Sequence, residues 1–228
     1  MRTLDSRDET TRDWFDPKKV TMTVEPALEG WFTVDEIIRL SGAPSGSHIV
    51  MSTLGDEAVE LRVQNPELLS EDMVRLIYQG PDQSYRFFVQ NSVFVLKKAY
   101  RGKGLGARSF CIEATAATAL ELFDFIRVHA VGDYASMTSS NPDTEYSGPY
   151  AWARFGFDAD IPAHVLAHCD GELAGLTRVH QLMTSERGRK VWAIHATSLW
   201  LEFDLDLNHA CWKTLNSYML EKGIKVTS

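Results

Sequence analysis

From Val20 onward, apolar and polar residues follow one another in short period-two runs, broken once by a long helical stretch. Val59, Leu61 and Val63 alternate with Glu60, Arg62 and Gln64, which predicts a half-buried strand. Met73–Tyr78 predicts another, closed by the turn Gln79-Gly-Pro-Asp82, in which Gly permits positive φ and Pro fixes its own. Tyr85–Val89 and Val93–Leu96 extend the meander. Lys19–Val24, Arg127–Val131 and Leu199–Leu207 are further strand candidates. Leu105–Phe123 is rich in Ala and Leu and free of internal Pro, and it predicts the longest helix. Shorter helices are expected at Val34–Leu40, at Pro149–Phe155 with Pro in the first turn, and at His209–Glu221, stopped by Gly223. Residues 162–170 and 173–195 read as helical with breaks at Gly171 and Gly188. Ser41–Ser47 and Gly132–Ser147 read as loops.

Residues 1–18 alternate charges with Thr and Ser, with only Trp14 and Phe15 as anchors, and predict a mobile tail. The remainder divides into a core at 19–160 and an extension at 161–228 packed on the same domain. Of the 228 residues, 44% are hydrophobic, the balance of a chain that buries a core. A net charge of −8 argues against a general nucleic-acid footprint. No apolar run of about 18 residues is present, so no membrane span is expected. The polar start lacks a signal-peptide pattern, and the three cysteines, Cys111, Cys169 and Cys211, form no CxxC pair. The expectation is a reduced, cytoplasmic protein. A homodimer is among the states the sequence leaves open.

One segment carries a chemical signal. A strand runs into Arg101-Gly-Lys-Gly-Leu-Gly106, and the long helix begins there. Glycines let backbone N–H groups approach an anion closely, a helix start adds unpaired N–H donors, and Arg101 and Lys103 add charge. A Cβ at Gly104 is expected to obstruct such an anion. The spacing fits neither GxxxxGK[ST] nor a dinucleotide fingerprint. The pattern points to a pyrophosphate cradle.

Arg101–Gly106 resembles the [QR]xxGxG/A signature of the GNAT family of acyl-CoA-dependent N-acyltransferases. Tyr150-Ala-Trp-Ala-Arg-Phe-Gly-Phe157 is similar to that family's short helix ending in an aromatic-Gly-Phe motif, and the likeness covers about residues 58–158. It implies a GNAT-like α+β fold, with a mixed, mainly antiparallel sheet flanked by helices and a helical C-terminal extension. It also implies an N-acetyltransferase that moves an acetyl group from acetyl-CoA directly to an amine in a ternary complex. Leu96 and its neighbours are then expected to hold the pantetheine arm. Gly102, Lys103, Gly104, Leu105 and Gly106 would hold the pyrophosphate through their amides, with Arg101 on phosphate charge. The family's acid position, four residues before the motif glycine, is filled by Trp152, which cannot protonate a thiolate. Tyr150 is the preferred acid, with Tyr146 or water as alternatives. Trp152 is also the feature that keeps open a catalytically inactive CoA-binding regulatory module.

An amine must be neutral to attack, so a base is expected. Glu202, Asp204 and Asp206 recur at period two and would share one strand face opposite Leu201, Phe203, Leu205 and Leu207; Glu202 is the preferred base, and a solvated edge strand gives the same pattern. Glu60 is a second candidate. Lys97 and Lys98 stand beside the cradle, where they could meet the cofactor's remaining phosphate. His164 and His168, at i and i+4 with Cys169 and Asp170 adjacent, lack a third ligand, and no metal site is expected. The acceptor itself is not specified.

Overall fold

The computed structural model describes residues 4, 5, 7–80, 86–140 and 147–227. In chain order the elements are α1 (Glu9–Trp14), β1 (Thr21–Val24), α2 (Val34–Ser41), β2 (His48–Leu54), β3 (Ala58–Gln64), β4 (Met73–Gln79), β5 (Phe87–Val93), α3 (Leu105–Leu120), β6 (Phe123–Ala130), α4 (Tyr134–Met137), α5 (Gly148–Arg154), α6 (Ala163–Leu166), α7 (Val179–Leu182), α8 (Glu186–His195), β7 (Leu199–Asp204) and α9 (Ala210–Glu221). The fold is α+β. Seven strands form one mixed sheet in sequence order, flanked by helices; β1 runs parallel to β2, and β2 through β5 are antiparallel.

The chain forms two compact units, one comprising residues up to Ile126 and those from Met219 onward, the other Arg127–Tyr218. The division falls inside β6 and inside α9, whereas the sequence reading drew its boundary at 160/161.

In the first unit the period-two pattern of β3 buries Leu61 and Val63, with Ile49 and Met51 of β2 and Met73 of β4. α2 starts on a capping box between Thr33 and Glu36 and ends at Gly42, whose φ of 63° only glycine adopts readily. A Cβ at Gly42 would collide with Ser109 of α3; its absence lets the Ser109 hydroxyl donate to the Gly42 carbonyl at 2.7 Å. α3 lays Phe110, Ala114 and Ala117 into the core. Residues 9–14, expected within a tail, form α1 instead, and the preceding Asp8 is tied to Arg108 of α3 at 2.8 Å.

In the second unit the aromatics Phe157, Trp192, Phe203 and Trp212 are buried. The Trp192 indole donates to the Pro149 carbonyl at 3.0 Å, joining α8 to α5. Gly188 lies inside α8 rather than breaking it, because a side chain there would overlap the Leu182 backbone. Two predicted helical stretches resolve into the short pieces α6, a 3-10 turn at Gly171–Leu173, α7 and α8.

Candidate functional site

The cradle lies in the first unit. Register along β4 and β5 shifts between Val74 and Arg75, leaving Ser92 as an extra residue, and such a bulge bends and twists its strand. Beyond it, the chain is no longer a regular strand. Leu96 makes an isolated antiparallel bridge to Leu69, through the Ser70 N–H on the Val95 carbonyl and the Lys97 N–H on the Leu68 carbonyl, both 2.9 Å. These bonds use the backbone on either side of Leu96 and leave its own groups aimed the other way. The Leu96 carbonyl accepts from Arg101 Nε at 2.8 Å.

After a 3-10 turn at Lys98–Tyr100 come Gly102 and Gly104, with φ of 74° and 77°. Space around a Cβ at Gly102 is empty. α3 has no side-chain N-cap, and the backbone N–H groups from Gly102 through Ala107 donate to no other described residue. Arg108 gives this run its direction. Its Nη1 donates to the carbonyls of Lys103 at 3.4 Å and Gly104 at 3.3 Å, while Asp8 holds its Nε at 2.9 Å. A trans peptide points its N–H opposite its carbonyl, so pinning these carbonyls turns the N–H groups of Gly104 and Leu105 away from Arg108. Burial opposes the Asp8 charge, but bonds from Thr11 and Arg108 outweigh it and hold its carboxyl below the ordinary range.

Gly104 has a packing reason of its own within the protein. A Cβ there would meet Arg108 Nη1 at 2.6 Å and Ile224 at 3.2 Å, so this glycine makes room for the arginine that sets the loop. Lys103 is exposed and lies over the Tyr100 ring at 5.4 Å. Lys97 is engaged by the Pro66 carbonyl, and Glu60 is held at both oxygens by Arg62.

The remaining predicted residues lie in the second unit. Tyr150 is half-buried on α5, and its hydroxyl has no partner among the described residues. Tyr146 lies outside the described residues. Trp152 packs edge-on against Phe155 and Phe157, with ring centroids 5.7 and 4.9 Å away. Gly156, at φ 99°, sits where a Cβ would overlap the Cys211 carbonyl, which gives the aromatic-Gly-Phe motif a packing reason. β7 alternates as expected, with Leu201, Phe203 and Leu205 buried and Glu202 exposed. However, β7 ends at Asp204, and Asp206 belongs to the turn before α9, where its carboxylate holds the Asn208 N–H at 3.0 Å.

A group that sequence reasoning passed over stands beside Glu202. Asp158 and Glu202 exchange both backbone hydrogen bonds, at 2.8 and 2.9 Å, which puts their side chains on one face. Asp158 is 3% exposed. Its Oδ1 accepts from the His180 backbone N–H, and its Oδ2 accepts from His180 Nδ1 and from Arg178 Nε, each at 2.9 Å. Burial opposes this charge, yet the bonds from His180 and Arg178 keep the carboxyl below its usual range. The one available signal was Asp158's place directly after the Phe-Gly-Phe motif; His180 was hidden inside a stretch read as continuous helix.

His168 and His195 stack at 3.6 Å, and the His164 ring meets the His195 carbonyl at 3.1 Å. Burial and the two neighbouring histidines lower the His195 pKa. Among the described residues no group of three or more ligating side chains could hold a metal, and no helix is long and apolar enough to cross a membrane. No family model, curated protein or solved structure matches the chain.

Proposed function

We propose that the protein is a GNAT-like acyltransferase that moves an acetyl group from acetyl-CoA to an amine, directly and without an acyl-enzyme. The observation carrying this reading is the run of N–H groups from Gly102 to Ala107, which donate to no other described residue, with Arg101 just before the run and Lys103 within it. Such a run suits a pyrophosphate, whose charge is spread over several oxygens at hydrogen-bonding distance from a helix start. Leu96, beyond a bulged strand, keeps its N–H unpartnered among the described residues, which suits an amide-bearing pantetheine arm, while its carbonyl is held by Arg101 Nε. Tyr150 is the acid candidate and Glu202 a base candidate on residue chemistry alone.

Trp152, packed among aromatics at the family's acid position, favours a second reading, a CoA-binding module without chemistry. Calorimetry with acetyl-CoA and mass spectrometry of a primary-amine panel separate the two. Binding with transfer supports the enzyme; binding with no transfer to any amine supports the module. Binding that survives replacing both Arg101 and Lys103 with Gln, or no binding by the unmutated protein at millimolar acetyl-CoA, defeats the cradle on which both depend.

A further inference from the structure

Arg108 is the residue through which the cradle meets the N-terminal part of the first unit. It is 5% exposed, and its guanidinium faces two ways. Toward the N-terminus, Nε and Nη2 donate to Asp8 Oδ2 at 2.9 and 2.8 Å, and Nε also reaches the Thr11 hydroxyl at 3.0 Å. That hydroxyl in turn donates to the same carboxylate oxygen. Toward the cradle, Nη1 reaches the Lys103 and Gly104 carbonyls at 3.4 and 3.3 Å. No other described residue bonds to this side chain. The bonds to Asp8 and Thr11 are the shorter set, so the N-terminal side decides where the guanidinium sits.

The segment carrying Asp8 is itself fixed at both ends. Before it, the Asp5 N–H donates to the Lys225 carbonyl at 3.0 Å, and Leu4 bridges Val226. The Asp5 carbonyl accepts the Asp8 N–H at 2.9 Å. After it, α1 closes on the loop that follows α2. The Trp14 carbonyl accepts from the Ser45 N–H at 2.7 Å, and the Asp13 carbonyl from the Ser45 hydroxyl at 3.0 Å. A second line reaches the same glycine: Ile224, next to Lys225, is buried and stands 3.2 Å from the place of a Cβ at Gly104. Gly104 is thus backed by an arginine that Asp8 places and by an isoleucine beside the contacts of Leu4 and Asp5. All of these residues belong to the first unit.

We propose that Asp8–Trp14 is a clasp on the cradle: its docking on Arg108 and the binding of acetyl-CoA strengthen one another. This rests on the acyl-CoA reading of the cradle and adds how that site is regulated. A bound pyrophosphate would hold the peptide planes 103–104 and 104–105 by their N–H groups. Arg108 holds the same two planes by their carbonyls. Each partner orders what the other must order, and linkage makes the effect reciprocal. The Asp8 charge does not oppose the ligand, because the ion pair turns its guanidinium end to the loop. Without Asp8, Arg108 would be a buried cation lacking a countercharge, and its escape to water would free both carbonyls. Whatever draws the segment away from Arg108 therefore lowers affinity for the cofactor.

The test is calorimetry with acetyl-CoA on the parent, Asp8→Asn and Glu9→Gln, with hydrogen exchange of each protein in the presence and absence of acetyl-CoA. Glu9→Gln removes a negative charge from an exposed position of the same helix and leaves Arg108 untouched, so it separates bonding from overall charge. Expected is an affinity about tenfold weaker for Asp8→Asn and within about twofold of the parent for Glu9→Gln. In the parent, acetyl-CoA should slow exchange of the Arg12 and Phe15 amides, which close α1 on Asp8 and Thr11, by several-fold. That slowing should be lost in Asp8→Asn at ligand saturation. Binding by folded Asp8→Asn within threefold of the parent, or exchange in α1 of the parent that ignores acetyl-CoA, overturns the clasp and leaves the cradle standing. Should Asp8→Asn fail to fold, exchange in the parent decides alone. No binding by the parent at millimolar acetyl-CoA overturns the cradle, and the clasp with it.

Discussion

Glu113 in the first unit and Asp158 in the second are carboxylates withdrawn from water, and each faces an arginine, but their surroundings differ in kind. Glu113, from α3, meets Arg75 of β4 at 3.3 Å with both side chains wholly buried. Asn91, Arg75's cross-strand partner on β5, donates to Oε2 at 3.1 Å. The remaining capacity is unused: Glu113 Oε1, Asn91 Oδ1 and Arg75 Nε and Nη1 have no hydrogen bond. At Asp158 both oxygens are filled by well-placed donors. The titrations diverge accordingly. Burial pushes Glu113 up to about 7 despite Arg75 and Asn91, whereas at Asp158 the bonds outweigh burial and the carboxyl is lowered. An ion pair sealed in apolar surroundings with orphaned atoms pulls its acid toward neutrality. One with satisfied lone pairs keeps its charge and can serve a partner.

The largest effect should come from breaking the sealed pair. Arg75→Met leaves Glu113 buried without a countercharge, which costs about 3–5 kcal/mol at pH 8. Much of that loss should return on acidification, as Glu113 takes up a proton. Adding Glu113→Gln removes both charges and keeps an acceptor for Asn91, so the double variant should stand near the parent or above it. Urea melts of the three proteins at pH 8 and pH 5 check this. A single variant as stable as the parent at pH 8 would mean that Arg75 does nothing for Glu113.

The pH dependences should then have opposite signs. Glu113, raised on folding, contributes stability that is fully present below the unfolded carboxyl pKa of about 4.3 and is lost as pH climbs towards about 7. Asp158, lowered on folding, contributes stability present above about 3.9 and lost as pH falls through its folded value. Hydrogen exchange read separately on α3 and on α7 should show protection of the first weakening with base and of the second with acid. Asp158→Asn should abolish the second trend and cost about 1.5–3 kcal/mol, the worth of hydrogen bonds to a charged group. An unchanged acid limb at α7 would remove Asp158 as its source.

These contrasts also mark how far the sequence could be read. Period two located β3 and β7, because each has one face in the core; β4, buried on both faces over Met73–Ile77, was legible as an apolar run before a turn, and the apolar run of α3 was plain. The cradle was legible because its glycines have local, backbone reasons. β2 was missed at His48–Leu54, where Ser52 and Thr53 blur the alternation. Tyr85–Val89 and Val93–Leu96 were read as two strands, whereas β5 is continuous over Phe87–Val93 and its bulge leaves Leu96 outside it. Pairings between distant residues have no local signature at all. Asp8 with Arg108, Arg75 with Glu113 and Asp158 with His180 join positions 100, 38 and 22 residues apart. Each decides a charge that composition alone would have left to solvent.

The smallest effect on stability belongs to the exposed acids of β7, and there the two kinds of acidic residue can be separated from function. Glu202 and Asp204 contribute little to the core, so Glu202→Gln with Asp204→Asn should change stability by no more than about 0.5 kcal/mol. Asp204 accepts the Asp206 N–H at 2.8 Å, a bond that an asparagine oxygen can keep. What the double variant does lose is two negative charges on the strand that pairs with Asp158. If those charges attract an ammonium acceptor, the KM for cationic amines should rise by several-fold, with kcat and acetyl-CoA affinity held. The parent's KM should itself rise with salt over the range in which the screening length shortens from about 30 to 8 Å, and the variant's should be flat. Neutral polar acceptors supply the control, since their KM should respond to neither change. A KM for cationic amines that stays put in the variant would mark the β7 acids as ordinary solvated surface.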